Sequence, residues 1–220
     1  MAQLSIPWLS LITNLELCSM DILKAKIVRA VQAGINSVQL RDKKLPSEML
    51  LQLGKELRQI TKDQALFFVH DRVDIALACE ADGIQLSENG ITIDDARTLL
   101  GPDVLIGRSV HSLDSAVDAE NCGADFLIVG TIFRSQTHPT QIAAGPELLA
   151  NIAPHVSIPK LAIGGITTNN ISSVIYAGAN GAAVISSILG DKDPYRATMR
   201  LRHKMEDAWT QQSQLGHPND

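Results

Sequence analysis

Gln39, Arg41 and Lys43 stand two residues apart, a spacing that puts three polar side chains on one face of an extended strand. Two cations on one face suit a phosphate or diphosphate, whose oxygens accept charge-assisted hydrogen bonds from guanidinium and ammonium groups. The competing reading is a solvated surface cluster, Arg41-Asp42-Lys43-Lys44, since surface charges are common. A second anion signal lies in the backbone. Ile163-Gly164-Gly165-Ile166 and Ile185-Ser186-Ser187 each close an apolar run, and glycine there lets an anion approach main-chain N–H groups closely. Alone, the glycine pair could serve only a tight turn; the second loop favours phosphate. Segment 133–139 is long and polar, with hydroxyls at Ser135 and Thr137 able to donate to a phosphate. For proton transfer the candidates are His70, Asp71 and His138, because imidazole exchanges protons near neutral pH. His111 fits a loop-ordering role about as well as a catalytic one.

These residues need a scaffold that gathers them. Short apolar runs recur at 8–13, 37–41, 66–70, 83–86, 104–109, 126–131, 160–164 and 182–186, which the pattern predicts as strands. Segments 20–33, 46–61, 73–80, 93–100, 113–121, 146–153, 168–177 and 195–209 carry helical spacing. A small-residue turn precedes four of the runs: Ala33-Gly34, Ala81-Asp82-Gly83, Cys122-Gly123-Ala124-Asp125 and Ala177-Gly178-Ala179-Asn180. Glycine there ends a helix in the left-handed region before the next strand. Strict alternation of eight strands and eight helices predicts an α/β fold, a single (β/α)₈ TIM barrel over residues 1–210 with a flexible tail at 211–220. An open doubly wound sheet fits less well, since it needs fewer strands and a phosphate loop after the first. In a barrel the active site lies at the carboxyl ends of the strands, where every candidate named above falls.

With 220 residues, 45% of them hydrophobic, the chain has material for one core. Aromatics at 4% predict layered aliphatic packing. A net charge of −5 offers no global attraction for nucleic acid, so any anion needs a local site. Cys18, Cys79 and Cys122 show no paired spacing, which predicts neither zinc nor disulfides and fits a reducing cytoplasm. No basic leader opens the sequence and no apolar run reaches membrane-spanning length; export and membrane association are not expected.

The pieces VQLRDK, HDRVDIALACEADGIQL, IGRSVHS, ADFLIVGTIF, IPKLAIGGIT and AGANGAAVISSI together resemble the family of thiamin phosphate synthase and its relative, the TenI-type thiazole tautomerase. The resemblance covers nearly the whole chain. For a synthase it implies that Gln39, Arg41 and Lys43 contact a pyrimidine diphosphate, Asp71 ligates Mg²⁺ and Ser109 touches the diphosphate. Ser135, Thr137, Gly164, Gly165, Ile185 and Ser186 would hold a thiazole phosphate. Several positions depart from the synthase pattern: Gly90 stands for the second metal carboxylate, His138 for a lysine and His70 for an amide. QLSENG and IGRSVHS resemble the tautomerase branch, which uses no metal, although its acid/base histidine is Thr131 here. The expectation is therefore a metal-independent tautomerase with His70 or His138 transferring the proton. A divergent Mg²⁺-dependent synthase stands second and a non-catalytic thiazole phosphate sensor third. The partners implied are a thiazole phosphate, a pyrimidine diphosphate in the synthase case, and no nucleic acid or membrane; a homodimer is an open assembly.

Overall fold

Apolar runs of four to six residues, buried on both sides, are stable only in a sheet covered by helices, and parallel strands with crossover helices supply that cover. The computed structural model, which describes residues 4–134 and 143–215, is built this way. In chain order the elements are β1 (Trp8–Ile12), α1 (Met20–Gln32), β2 (Ser37–Leu40), α2 (Ser47–Thr61), β3 (Leu66–His70), α3 (Val73–Ala78), β4 (Gly83–Leu86) and α4 (Ile93–Leu100). There follow β5 (Leu105–Val110), α5 (Leu113–Asn121), β6 (Phe126–Val129), α6 (Glu147–Ile152), β7 (Lys160–Ile163), α7 (Ile171–Tyr176), β8 (Gly181–Val184), α8 (Ser186–Leu189) and α9 (Pro194–Leu215). The strands form one closed barrel in sequence order. Closure comes from the parallel pairing of β1 with β8, in the register Trp8↔Gly181 to Leu11↔Val184. The predicted TIM barrel is the fold.

The repeated small-residue turn has a physical cause at the N-terminal rim. Before β2, β4, β6 and β8 stand Asn36, Asp82, Asp125 and Asn180, and each side-chain oxygen accepts the backbone N–H at the start of a neighbouring odd strand. The pairs are Leu9 N–H to Asn36 (2.8 Å), Phe67 N–H to Asp82 (2.7 Å), Ile106 N–H to Asp125 (2.7 Å) and Lys160 N–H to Asn180 (2.9 Å). The two aspartates also bind Arg58 and Arg97, at 2.8 and 2.6 Å; no side-chain cation bonds the two asparagines among the described residues. Gly34, Gly123 and Gly178 take the left-handed conformation, at φ 83°, 87° and 97°. At the fourth turn the residue with positive φ is Glu80, at 50°, rather than Gly83.

The aliphatic packing predicted from composition holds outside the barrel, where leucines, isoleucines and valines fill the space between strands and helices, whereas the inner cluster adds three aromatic rings to Ile128 and Leu161. Inside, the floor is aromatic. Trp8, Phe68 and Phe126 pack with centroids 4.9 to 5.7 Å apart; Phe126 meets the other two edge to face, and Trp8 and Phe68 are tilted at 40°. Small residues make this fit: a Cβ on Gly83 would lie 2.2 Å from the Phe68 ring and one on Gly107 2.3 Å from Phe126.

Two elements differ from prediction. Residues 186–189, predicted to begin as strand end, form α8, and the last helix runs on through Leu215 into the segment predicted to be a tail. No described helix is long and apolar enough to cross a membrane.

Candidate active site

Above the aromatic floor the inward side chains become polar. Trp8 Nε1 donates to Ser37 Oγ at 2.8 Å and Ser37 to Ser10 Oγ at 2.9 Å. One layer higher, Gln39 meets His70, and Gln85 Nε2 donates to Ser109 Oγ at 3.1 Å. Over this layer opens a cavity of about 230 Å³ at the C-terminal mouth. It brings together Gln39, Arg41, Lys43, His70, Ser109, Gly164, Gly165, Ile185 and Ser186. Ser135, Thr137 and His138 lie outside the described residues.

The charge cluster after β2 divides by role. Asp42 Oδ1 accepts the Lys44 and Leu45 N–H groups, both at 2.7 Å, and closes a turn; Lys44 pairs with Glu16 at the surface. Arg41 and Lys43 line the cavity instead, and neither is in an ion pair among the described residues. Thr13 Oγ1 anchors the strand end, accepting Arg41 N–H at 2.8 Å and donating to its carbonyl at 3.1 Å. The cluster thus divides between cavity and surface on alternate residues of one strand extension.

Asp71 follows β3 at φ 57°. Its Oδ1 accepts the Ser87 N–H at 2.7 Å and its Oδ2 lies 3.2 Å from His70 Nε2. Burial pushes its carboxyl up, but hydrogen bonds from His70 and the Ser87 amide outweigh this and hold it well below the usual carboxylate range. Asp71 is therefore ionised, and it meets the cavity through His70 and Ser87, which line it. Both nitrogens of His70 are engaged, Nδ1 with Gln39 Nε2 at 3.2 Å. Beside this carboxylate lies Gly90, where a Cβ would stand 3.1 Å from Asp71 Oδ1; the position read from sequence as a missing metal ligand does face Asp71. Arg108, on the outer side of β5, secures this turn from behind by donating to the Ser87 and Ile91 carbonyls at 2.7 and 2.8 Å. Burial lowers its pKa from the ordinary value, and the charges of Asp71 and Glu88 oppose that. Among the described residues no three potential metal ligands converge. The donor set fits a hard cation held by one carboxylate together with phosphate oxygens, a common arrangement for Mg²⁺.

Across the cavity, the loops after β6, β7 and β8 are knitted together. Ile132 and Phe133 N–H groups donate to the Ile163 and Gly164 carbonyls at 2.8 and 3.1 Å, and Ser187 Oγ donates to the Ile166 carbonyl. Gly164 and Gly165 have φ of 103° and 59°. A Cβ on Gly165 would lie 2.5 Å from the Arg134 carbonyl oxygen, so the pair serves both backbone conformation and close approach. Asn170, at the N-terminus of α7, donates to the Gly165 carbonyl at 2.9 Å and accepts Thr167 N–H at 2.7 Å rather than capping the helix. The Gly165 N–H has no acceptor among the described residues, and the first amides of α8 have none within their helix.

Sequence reasoning gave too little weight to four lining residues, Gln85, Ser87, Glu88 and His111. Strand-end position was the available signal, and it marked all four without ranking them. His111 Nδ1 meets the Gly130 carbonyl, which leaves Nε2 facing Glu88 Oε2 at 3.9 Å. Its imidazole thus stands next to Thr131, where the tautomerase branch would carry a histidine.

The fold and site together define a (β/α)₈ barrel with a cationic, glycine-flanked cavity at its C-terminal mouth, where enzymes of this architecture carry their active sites. Residues 9–188 match the family described as thiamine monophosphate synthase. The chain is 42% identical to thiamine-phosphate synthase of Pyrococcus horikoshii over 83% of its own length and 88% of the relative's. It is also 42% identical to the Pyrococcus furiosus enzyme of the same name, over 81% and 86%. Thiamine phosphate pyrophosphorylase from Pyrococcus furiosus superposes with a TM-score of 0.83 at 39% identity, covering 91% of this chain and 96% of that one. The chain belongs to the thiamine monophosphate synthase family. Sequence reasoning placed the tautomerase first; these relatives carry the synthase's name, which reverses that order.

Proposed function

We propose that this protein is a thiamine-phosphate synthase, joining a pyrimidine diphosphate to a thiazole phosphate. The observation that carries the reading is the two-sided cavity, with Arg41 and Lys43 on one wall and Gly164, Gly165, Ile185 and Ser186 on the other, in a chain 42% identical to enzymes of that name. Two walls suit two anionic substrates. In the reaction the C–O bond to diphosphate breaks and the thiazole nitrogen forms the new C–N bond, so neutralising the leaving group matters more than acid/base chemistry. Arg41 and Lys43 would receive the diphosphate charge and Ser109 would donate to an oxygen. The Gly165 amide and the start of α8 would hold the thiazole phosphate, and the aromatic floor keeps water out from below. A magnesium ion bound with the diphosphate would neutralise more of its charge, with Asp71 as its protein ligand. The test is incubation with both substrates, with and without Mg²⁺. Metal-dependent formation of thiamine phosphate is expected; none at high enzyme concentration rejects the reading.

One observation favours a second reading, thiazole tautomerisation. His111 donates from Nδ1 to the Gly130 carbonyl, so in the neutral ring Nε2 is the basic nitrogen, beside Thr131 and Glu88. Metal-independent aromatisation of the thiazole carboxylate phosphate that His111→Ala abolishes would support it. Aromatisation unaffected by that change would dismiss the assignment.

A further inference from the structure

Gln85 lies on β4 under the cavity, 1% exposed, and the two ends of its amide fare differently. Nε2 donates to the Leu86 carbonyl at 3.2 Å and to Ser109 Oγ at 3.1 Å. Oε1 is buried without a partner among the described residues. It sits in the space that Gly107 leaves beside the aromatic floor, where a Cβ would stand 2.3 Å from Oε1 and 2.3 Å from the Phe126 ring. A buried carbonyl oxygen with no donor is destabilising. Turning the amide over would let Oε1 accept the Ser109 hydroxyl, but it would set that oxygen against the Leu86 carbonyl, which only accepts. The amide is therefore held with its N–H groups toward Leu86 and Ser109, and the stranded oxygen is the consequence. Because Ser109 Oγ accepts from Gln85, its own proton is left for a further acceptor. No described residue supplies one, and Ser109 lines the cavity.

We propose that Gln85 is a positioning residue that turns the Ser109 hydroxyl proton into the cavity, so that this point of the wall takes a ligand oxygen with no proton to give, as in a phosphate or diphosphate. That the ligand is a diphosphate rests on the synthase reading; the direction of the hydrogen bond rests on the geometry. The arrangement exchanges stability for binding, since a buried acceptor is left unsatisfied to keep a donor aimed at the ligand. Gln85→Met keeps a side chain of similar length, removes the stranded carbonyl and packs sulfur near the Phe126 ring. It also frees the Ser109 hydroxyl to rotate away from the cavity.

Two measurements test it. The first needs no ligand: in proton–nitrogen NMR of the unliganded protein, Ser109→Ala should move a side-chain amide proton of Gln85 upfield, because that proton loses its acceptor. An unmoved signal overturns the proposal. The second is calorimetry with inorganic diphosphate and Mg²⁺ on wild type, Gln85→Met, Ser109→Ala and the double variant. Gln85→Met should weaken binding roughly tenfold, the scale of one hydrogen bond to a charged group, and should weaken it no further once the Ser109 hydroxyl is gone. Its midpoint in urea should be no lower than that of wild type. Wild-type affinity in Gln85→Met, or a loss that persists undiminished in the Ser109→Ala background, overturns the proposal; a lowered urea midpoint would mark Gln85 as a structural residue and also count against it. A wild type that binds no diphosphate would instead reject the synthase reading, while the amide signal still decides the direction of the bond.

Discussion

Replacing Gly165 by alanine separates two contributions that coincide at the glycine pair. The first is conformational: at φ 59° an L-residue pays about 1–2 kcal/mol for the left-handed backbone. The second is steric. The new Cβ would lie 2.5 Å from the Arg134 carbonyl oxygen and 2.9 Å from Phe133 Cβ, and reaching an ordinary C···O contact of about 3.3 Å requires a displacement of roughly 0.8 Å. Arg134 belongs to the loop after β6, so the displacement acts on two walls of the cavity. Gly123 provides the control, with φ 87° and nothing within 4 Å of its would-be Cβ. Gly123→Ala should therefore lower stability by about 1–2 kcal/mol in urea denaturation, and Gly165→Ala by more, since the displacement adds to the same backbone cost. Only Gly165→Ala should lower kcat/KM, by roughly 100-fold, the scale expected when reacting groups are misplaced by about 1 Å. Calorimetric titration with thiazole phosphate should show the same selectivity. Wild-type affinity and turnover in Gly165→Ala would refute the reasoning, because the backbone would then have room that the geometry denies.

Further outcomes follow from the same structure. Arg41→Ala and Lys43→Ala should each lower kcat/KM about 100-fold or more, whereas Lys44→Ala, which breaks only a surface pair with Glu16, should stay within about twofold; equal losses in all three would contradict the division of the cluster. Asp71 has its folded-state pKa depressed, so the stability it contributes is present above the ordinary carboxylate pKa and lost as pH falls toward the folded value. The advantage of wild type over Asp71→Asn in urea should accordingly shrink below about pH 4, and an advantage that begins to fall only above that range would be inconsistent with the pairing. Gly90→Asp adds a second carboxylate beside Asp71 Oδ1 and should reduce the Mg²⁺ needed for half-maximal synthase activity roughly tenfold; an unchanged requirement would place the metal elsewhere. Asp82→Ala strands the Phe67 N–H and Arg58 and should cost about 1–3 kcal/mol of stability, with the kcat/KM of the folded protein unchanged.

The barrel was legible in the sequence because its signals are local. Apolar runs at regular spacing, helical segments between them and the four small-residue turns each act over a few residues, and the turns have a counterpart in the Asn36, Asp82, Asp125 and Asn180 rim. Strand-end position likewise delivered Gln39, Arg41 and Lys43 to the mouth, since alternation along one strand decides which side chains face inward. Other features depended on contacts between distant segments. Nothing in the sequence shows that Trp8, Phe68 and Phe126, on three different strands, meet as one floor, because pairing register and the space left by Gly83 and Gly107 bring them together. Nor does it show that Arg108 braces the turn holding Gly90, or that His111 stands on the Gly130 carbonyl.

The two levels of description meet at Asp71. The amino-acid sequence by itself determined the (β/α)₈ alternation, the strand ends that carry chemistry and the presence of a carboxylate there, because residue type and period are local properties of the chain. Only the tertiary structure decided that this carboxylate is oriented by Ser87, stands beside Gly90 and meets His70, which in turn meets Gln39. Hydrogen-bond direction is a property of partners, and these partners come from three strands and the loops that follow them.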